Sequence, residues 1–547
     1  MAQSDSDDDR EQIDIAVVGA GVAGTYCCWR LQAAQNGRKA VLFEMSKRIG
    51  GRLWSVPIPS IPGVMGELGG MRFLSLQRMV VSLTKYLGLP TSDFPMGGPL
   101  NIATLRGVRL RNAAFEYPQI VPYRLLPGEQ GHGPGDLLVK AIETVIPNAT
   151  KLTPQQWEDV KQTTQWNGDY LYNWGLWNVL LSKNSTAAGN PSVLSSEAYD
   201  MLFDGGGYES LVDNWNCAEA FEYLLVDFPR EAKYLQLPKG YHTLPQKLTE
   251  KFTGDGGKIY MEHRLTRFVT QPVNGETVID LDVVDEPNQL TRRFRAKALI
   301  LAMPQRSLEL LTPETPLLKR AEVRELVNSV MPMPAYKTIA VYETPWWKKE
   351  LGIDAGRSTT DLPIRQVYYM HSGTDEKPKS LMLATYADGR TQSFWNALYR
   401  GEKRSNKFPI DRAKAFPSVD AKTADELMAL VAPADFTLTL QALLAEMHQL
   451  PPAKIIPELT LPLVKDWTED PFGAGWHFWR PGVKVWETLP RMRQPVDEVP
   501  IHICGESYAN QQGWVEGALT SAERMVQTYF NLQTPSWLQP QDYFLGP

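Results

Sequence analysis

Three glycines, Gly19, Gly21 and Gly24, stand in the G-x-G-x-x-G spacing within "VVGAGVAG", and an acid, Glu44, lies twenty residues beyond the third. Such glycines permit a tight turn, let backbone amides approach a pyrophosphate and allow a helix to pack closely on a strand. A carboxylate at the end of the next strand accepts hydrogen bonds from a ribose diol and disfavours a 2′-phosphate. The run "KRIGGRLWS" follows directly, with Gly50 and Gly51 between Arg48 and Arg52. Here the backbone can again run close to a ligand, and guanidinium groups can grip phosphate oxygens at two points. Further on, "GELGGMRF" sets one cation, Arg72, after the pair Gly69 and Gly70 and between Met71 and Phe73. A planar guanidinium suits an oxyanion, and by residue type alone phosphate and carboxylate are equal candidates.

These groups need elements to hold them. "IDIAVV", Ile13 to Val18, reads as a buried parallel strand, followed by the glycines and a helix to about Gln35, and "KAVLFE" reads as the next strand. The Pro- and Gly-rich stretch from Pro118 to Gly135 is a connector, and from about Asp136 to Cys217 the pattern is helical. "KIYMEHRLTRFV", "TVIDLDVVDE" and "FRAKALILAMP" alternate like strands, and "VPIHICGESY" is a last strand before the helix "VEGALTSAERMVQTYF". The expected fold is α/β, with an α+β mixture: a Rossmann-like, doubly wound dinucleotide domain assembled from segments 12–70, 236–325 and 480–533, a mixed-sheet substrate domain from 71–135 and 330–479, and a helical domain over 136–235.

Bulk properties exclude several classes. At 547 residues the chain exceeds one core, and 56 basic against 62 acidic residues, net −6, supply no basic field for nucleic acid. Cys27, Cys28, Cys217 and Cys504 have neither metal-clip nor disulfide-framework spacing. The opening "MAQSDSDDDREQ" has no apolar core, so it reads as a disordered leader rather than a secretory signal, and a cytoplasmic location is expected. No apolar run reaches the roughly 18–20 residues of a membrane helix. Sixteen tryptophans supply flat rigid side chains, chiefly for core.

Taken together the motifs resemble those of the flavin-dependent amine oxidase family, in its bacterial L-amino acid oxidase branch, from about Ile13 to Gln533. "KRIGGRLWS" is similar to the second fingerprint that continues the FAD site. "ICGESYANQQGWVEGALTSAERM" is similar to the closing motif, in which Gly505 and Glu506 approach the ribityl and pyrophosphate part and Gly513, Trp514 and Val515 lead into the last helix. Amides at that helix start would stabilise electron density on the flavin as it is reduced. The resemblance implies non-covalent FAD, with further contacts from Ala23, Met45, Gly70, Met71 and Arg72 and from Leu265 at the adenine end. Cys504 is read as a small buried thiol rather than a covalent flavin link.

Within the branch, "GGMRF" resembles the motif whose arginine binds the substrate carboxylate, which falls on Arg72. "GRSTTDLPIRQVYY" resembles secreted animal members; "LMLATYADG" aligns Tyr386 with their carboxylate-binding tyrosine, and "AYKTIAVYETPWWKK" aligns Lys337 with the lysine holding a water near flavin N5. Read from residue type alone, Lys337 can be a solvated edge residue and Tyr386 a core tyrosine. The resemblance is weakest in the helical insertion, and no histidine matches the animal enzymes' pocket histidine. Trp215 and Glu219, with Glu222, are the candidates there for the pocket floor. Acids at 219 and 222 suit a lysine or arginine side chain, although solvated helix acids are the commoner case; an aromatic-lined pocket is the alternative.

The implied reaction is oxidative deamination of an L-amino acid by FAD and oxygen, to a 2-oxo acid, ammonia and hydrogen peroxide. Arg72 and Tyr386 fix the carboxylate, Gly513 and Trp514 frame the amine, and Lys337 assists proton handling. Rival readings are a monoamine or polyamine oxidase, an amino acid monooxygenase, a flavin desaturase and a non-catalytic FAD-binding protein. A homodimer is the base-rate expectation.

Overall fold

The structure, a computed structural model, describes residues 10–34, 37–185, 192–227, 233–455, 458–539 and 545–546. The first strand, Glu11–Val18, sits in mid-sheet between Ala40–Glu44 and Leu290–Leu301, parallel to both. Lys258–Met261 and Ile501–Ile503 extend the parallel part on either side. Side chains alternate across a strand. Accordingly Ile15 and Val17 enter one core with helices Val22–Ala33, Thr243–Gly254 and Val515–Phe530, while Ala16 and Val18 enter another with Leu308, Val323 and Leu489. Burial on both faces is why this strand reads as an unbroken apolar run.

Leu290–Leu301 is long enough to serve two neighbours. Its first half pairs antiparallel with Glu276–Asp285, which pairs in turn with His263–Val273, and its last residues pair with Ile501–Ile503. The parallel sheet is thus made of strands far apart in sequence. Helix Val22–Ala33 is apolar on nearly all sides, as expected of a helix wedged between the sheet and two other helices.

A second sheet runs in the order Leu459–Asp466, Ala335–Tyr342, Ser380–Asp388, Gln366–His371, Gly356–Thr360, Ile102–Leu105, Val108–Arg111, antiparallel except where Thr359 and Thr360 meet Ala103 and Thr104. In its register Lys337 faces Tyr386 on one side and Lys465 on the other, so these side chains share one face.

After Val108–Arg111 the chain forms helices Pro134–Val145, Pro154–Thr163, Leu176–Leu181, Ser196–Gly206 and Cys217–Asp227. A small hairpin, Gln165–Trp166 with Asp169–Tyr170, interrupts the helical text. The core of this region is continuous with Ala103, Leu105, Leu110 and Ala335 of the second sheet, so it packs on that sheet rather than standing apart.

Three expectations shift. The strand starts at Glu11, inside the stretch read as leader, because Glu11 and Gln12 pair with Phe294 and Arg295; residues 1–9 lie outside the described residues, as does Gln35, and the first helix ends at Ala33. Helix Arg78–Tyr86, allotted to the substrate domain, packs Met79, Val80 and Leu83 into the core of the first sheet, so the segment 71–135 straddles both units. Among the described residues no helix is long and apolar enough to cross a membrane.

Candidate active site

A cavity of about 620 Å³ runs between the glycine turns and the second sheet. At one end its wall is main chain. Gly19 has φ +103°, and a Cβ there would stand 2.6 Å from the Ala302 carbonyl oxygen, so only glycine makes this turn. A Cβ on Gly24 would come within 1.9 Å of the Gly19 oxygen; Gly24 serves the helix–strand packing and does not line the cavity. Gly21 differs: a Cβ there would meet nothing closer than Gly51 Cα at 4.0 Å, and a Cβ on Gly505 would meet no atom within 4 Å. Bare backbone therefore faces open space at 21 and 505. Helix Val22–Ala33 begins there with no side-chain cap and no acid in its first turn, leaving amides directed at the cavity.

Charged groups at this end are held by the protein. The Ala20 and Ser46 amides donate to the two Glu44 oxygens at 2.7 and 2.8 Å, which pins the carboxylate at the strand end. Arg52, expected to reach phosphate oxygens, donates to Glu506 at 2.5 Å and to the Gly475 carbonyl at 3.2 Å. Arg48 donates to the Leu53 and Gly51 carbonyls and lies 4.4 Å from the Trp54 ring centroid. Both arginines line the cavity, but each is engaged by protein acceptors because the "GGRL" turn folds back on itself. Glu506 also accepts from the His477 amide (2.9 Å) and the Gly513 amide (2.8 Å). Burial would raise its carboxyl; Arg52, His477 and the Gly513 amide outweigh that and hold it at about 2. Helix Val515–Phe530 starts just beyond, and the acid in its first turn, Glu516, is turned away to accept from the Met79 and Val80 amides at 2.8 Å.

These features fit a dinucleotide carried along the turns: amides for a pyrophosphate, a pinned acid for a ribose, and space where Cβ atoms are missing. Ala23, Met45, Gly51, Gly70, Met71, Leu265, Trp514 and Val515 also line the cavity. Gly69 lets two chain segments touch: a Cβ there would stand 2.1 Å from the Arg52 oxygen. Cys504 lies behind the wall, 3.8 Å from Cys27 sulfur to sulfur.

At the other end the wall is side chains. Arg72 is 7% exposed; Nη1 donates to Tyr368 at 3.1 Å, Nη2 to Tyr208 at 3.2 Å, and Nε has no partner. Phe94, Tyr234 and Tyr368 put ring faces around it. Burial opposes its charge, but Tyr208, Tyr368, Tyr234 and Asp227 outweigh burial and keep the guanidinium protonated. No described carboxylate forms an ion pair with it. Lys337 donates to the Gly69 carbonyl at 2.5 Å and lies 4.4 Å from the Tyr386 ring centroid. Burial first, then Arg72, bring the Lys337 ammonium down to about 7, against a smaller opposing pull from Glu67. Tyr386 packs edge-on to Tyr208 and Trp476, at 5.2 and 6.1 Å between centroids, and burial raises its hydroxyl. Gly513, at φ +78°, brings its Cα close enough to Tyr223 that a Cβ would sit 3.2 Å from the hydroxyl.

Two expected pocket residues lie elsewhere. Trp215 is 2% exposed and stacked on Phe478 at 3.9 Å, one layer behind Leu211, which does line the cavity. Glu219 is neither at the cavity nor solvated: with Glu222 it grips the buried Lys161, at 2.9 and 2.6 Å, because helix Pro154–Thr163 packs across it. In their place the wall contains Tyr208, Tyr223, Asp227 and Trp476. Nothing in the spacing of these residues marks them; "RQVYY", within a stretch already notable by resemblance, was the single pointer to Tyr368.

Comparison with known proteins agrees with this geometry. The family described as Flavin containing amine oxidoreductase matches residues 22–528. Aplysianin-A of Aplysia kurodai is 26% identical over 97% of this chain and 92% of its own length, and achacin of Lissachatina fulica 26% over 95% and 93%. An L-amino-acid oxidase of Demansia vestigiata is 22% identical over 96% and 88%. Among solved structures, a redesigned putrescine oxidase superposes with TM-score 0.65 at 17% identity, covering 95% of this chain and 100% of that one. A cyclohexylamine oxidase from Brevibacterium oxydans gives 0.58 at 15%, covering 94% and 99%. They share the mixed α/β, Rossmann-like architecture. With a family match across nearly its whole length and a cavity whose glycine turns suit a dinucleotide, the chain belongs to the flavin-containing amine oxidoreductase family.

Proposed function

We propose that the protein is an L-amino acid oxidase that holds FAD without a covalent bond and converts an L-amino acid, oxygen and water to a 2-oxo acid, ammonia and hydrogen peroxide. The observation that carries this reading is Arg72: a buried, protonated guanidinium on the cavity wall that donates to two tyrosine hydroxyls and, among the described residues, has no carboxylate in contact with it. A buried charge without a counter-ion is costly, and a substrate α-carboxylate supplies one. Putrescine and cyclohexylamine have no such anion.

Bound flavin supplies the two-electron acceptor and the route to oxygen. The chain's own groups do the rest. Arg72 and Tyr386 orient the carboxylate, which sets the face of the α-carbon presented to the cofactor. The segment Gly513–Trp514 and the Trp476 ring border the amine. Lys337, neutral above about pH 7, accepts a proton at Nζ while its bond to the Gly69 carbonyl holds it beside the Arg72 segment. The tyrosines and Trp476 exclude bulk water.

Anaerobic mixing of the yellow holoprotein with L- and D-amino acids tests the reading. Bleaching of flavin absorbance by L- but not D-enantiomers is expected; bleaching by simple amines alone would replace it with an amine oxidase. Stoichiometric ammonia and peroxide in air separate oxidase from monooxygenase.

A further inference from the structure

Among the described residues, one carboxylate at the substrate end of the cavity has no counter-ion. Asp227 closes helix Cys217–Asp227 and lines the cavity with Tyr208, Leu211 and Tyr223. Its Oδ1 accepts from the Tyr234 hydroxyl at 2.6 Å. Among the described residues no donor reaches Oδ2 and no cation pairs with this acid. Its field is felt at Arg72, whose charge it helps stabilise, yet the two are not in contact. Arg72 instead donates to Tyr208 and Tyr368, and its guanidinium lies 5.0 Å from the Tyr234 ring centroid.

A single cavity is thus lined by a guanidinium, by a carboxylate that forms no ion pair with it, and by aromatic side chains. The ligand that satisfies both carries an anion at one end and a cation at the other, joined by an apolar stem. Tyr208, Tyr223 and Tyr386 line the same space, and aromatic rings accommodate methylene groups and attract cations. We infer that Asp227 is a specificity-determining residue that selects L-amino acids with a basic side chain, binding the terminal ammonium or guanidinium while Arg72 takes the α-carboxylate. Glu219 and Glu222 cannot do this, since both are paired with Lys161 and neither lines the cavity. The inference rests on the oxidase reading and adds the side-chain class.

The test compares L-lysine with L-norleucine, which has the same stem without the ammonium, using peroxide-coupled kcat/KM on the holoprotein and on Asp227→Asn and Asp227→Glu. In the parent, lysine is expected to exceed norleucine by roughly 10- to 100-fold, the scale of a desolvated charge pair. Asp227→Asn is expected to collapse that ratio toward one, and Asp227→Glu to restore part of it; the flavin spectrum of each variant reports an intact fold. Norleucine equal to or better than lysine in the parent, or a lysine preference that survives Asp227→Asn, overturns the inference while leaving the oxidase standing. Failure of every L-amino acid to bleach the flavin overturns the oxidase reading itself.

Discussion

The glycine end of the cavity presents main chain: Gly21 and Gly505 bare to open space, Glu44 pinned by two amides, and helix starts without side-chain caps. The tyrosine end presents side chains from separate elements: Arg72 just before strand Phe73–Leu74, Tyr208 after helix Ser196–Gly206, and Lys337, Tyr368 and Tyr386 on three strands of one sheet. A main-chain surface recognises what every dinucleotide shares and is indifferent to neighbouring side chains, provided no Cβ intrudes. A side-chain surface can be retuned one residue at a time. One end is therefore suited to a constant ligand and the other to a variable one.

The largest effects should separate two glycines at the first end. Gly24→Ala drives a Cβ to within 1.9 Å of a backbone oxygen and is expected to destabilise the fold by about 4 kcal/mol or more, as strained core insertions do. Gly21→Ala meets no protein atom closer than 4.0 Å, so the apoprotein should melt as the parent does while flavin per chain falls. Equal loss of apoprotein stability in both variants would break the distinction between packing glycine and ligand glycine.

At the second end, Arg72→Ala should lower kcat/KM for an L-amino acid by on the order of 10²- to 10³-fold with flavin content retained. A parallel fall in flavin would move Arg72 to the cofactor end.

Lys337 gives a pH signature. Its folded value of about 7 lies below the roughly 10.4 of a free lysine, so between these values the unfolded chain binds more protons and this group's contribution to stability rises with pH. Lys337→Met should therefore stabilise the fold more at pH 7 than at pH 10. Flavin reduction by substrate should rise through pH 7 in the parent and lose that limb in Lys337→Met; an identical profile in both would remove Lys337 from proton handling.

The smallest effect is expected from Tyr368→Phe or Tyr208→Phe, each deleting one hydroxyl from Arg72, at about tenfold in kcat/KM for a hydrogen bond to a charged group. The double variant should fall short of the product, because the two hydroxyls hold one guanidinium. Full multiplicativity would mean that they act independently of it.

Legibility in the sequence followed the same division. Gly19, Gly21 and Glu44 could be read because their work is local: a turn and the strand after it lie within one short segment. Even there, spacing could not distinguish Gly24, which accommodates neighbouring backbone, from Gly21, which faces the cavity. Arg72, Lys337 and Tyr386 are legible through the resemblance, and all line one cavity. The helical stretch around Trp215 and Glu219 does not by itself reveal that Phe478 and Lys161 lie opposite them.

By itself, then, the sequence determined the glycine turns, the paired acid, the apolar strand buried on two faces and the start of the last helix, because each depends on residues adjacent in the chain. Which arginine has a carboxylate partner, which lysine loses its proton near neutrality and which acid faces the cavity were decided by the tertiary structure. Those properties arise from burial and from charges brought together across strands and helices: Arg52 meets Glu506, Lys161 meets Glu219, and Arg72 and Asp227 are left facing the same space.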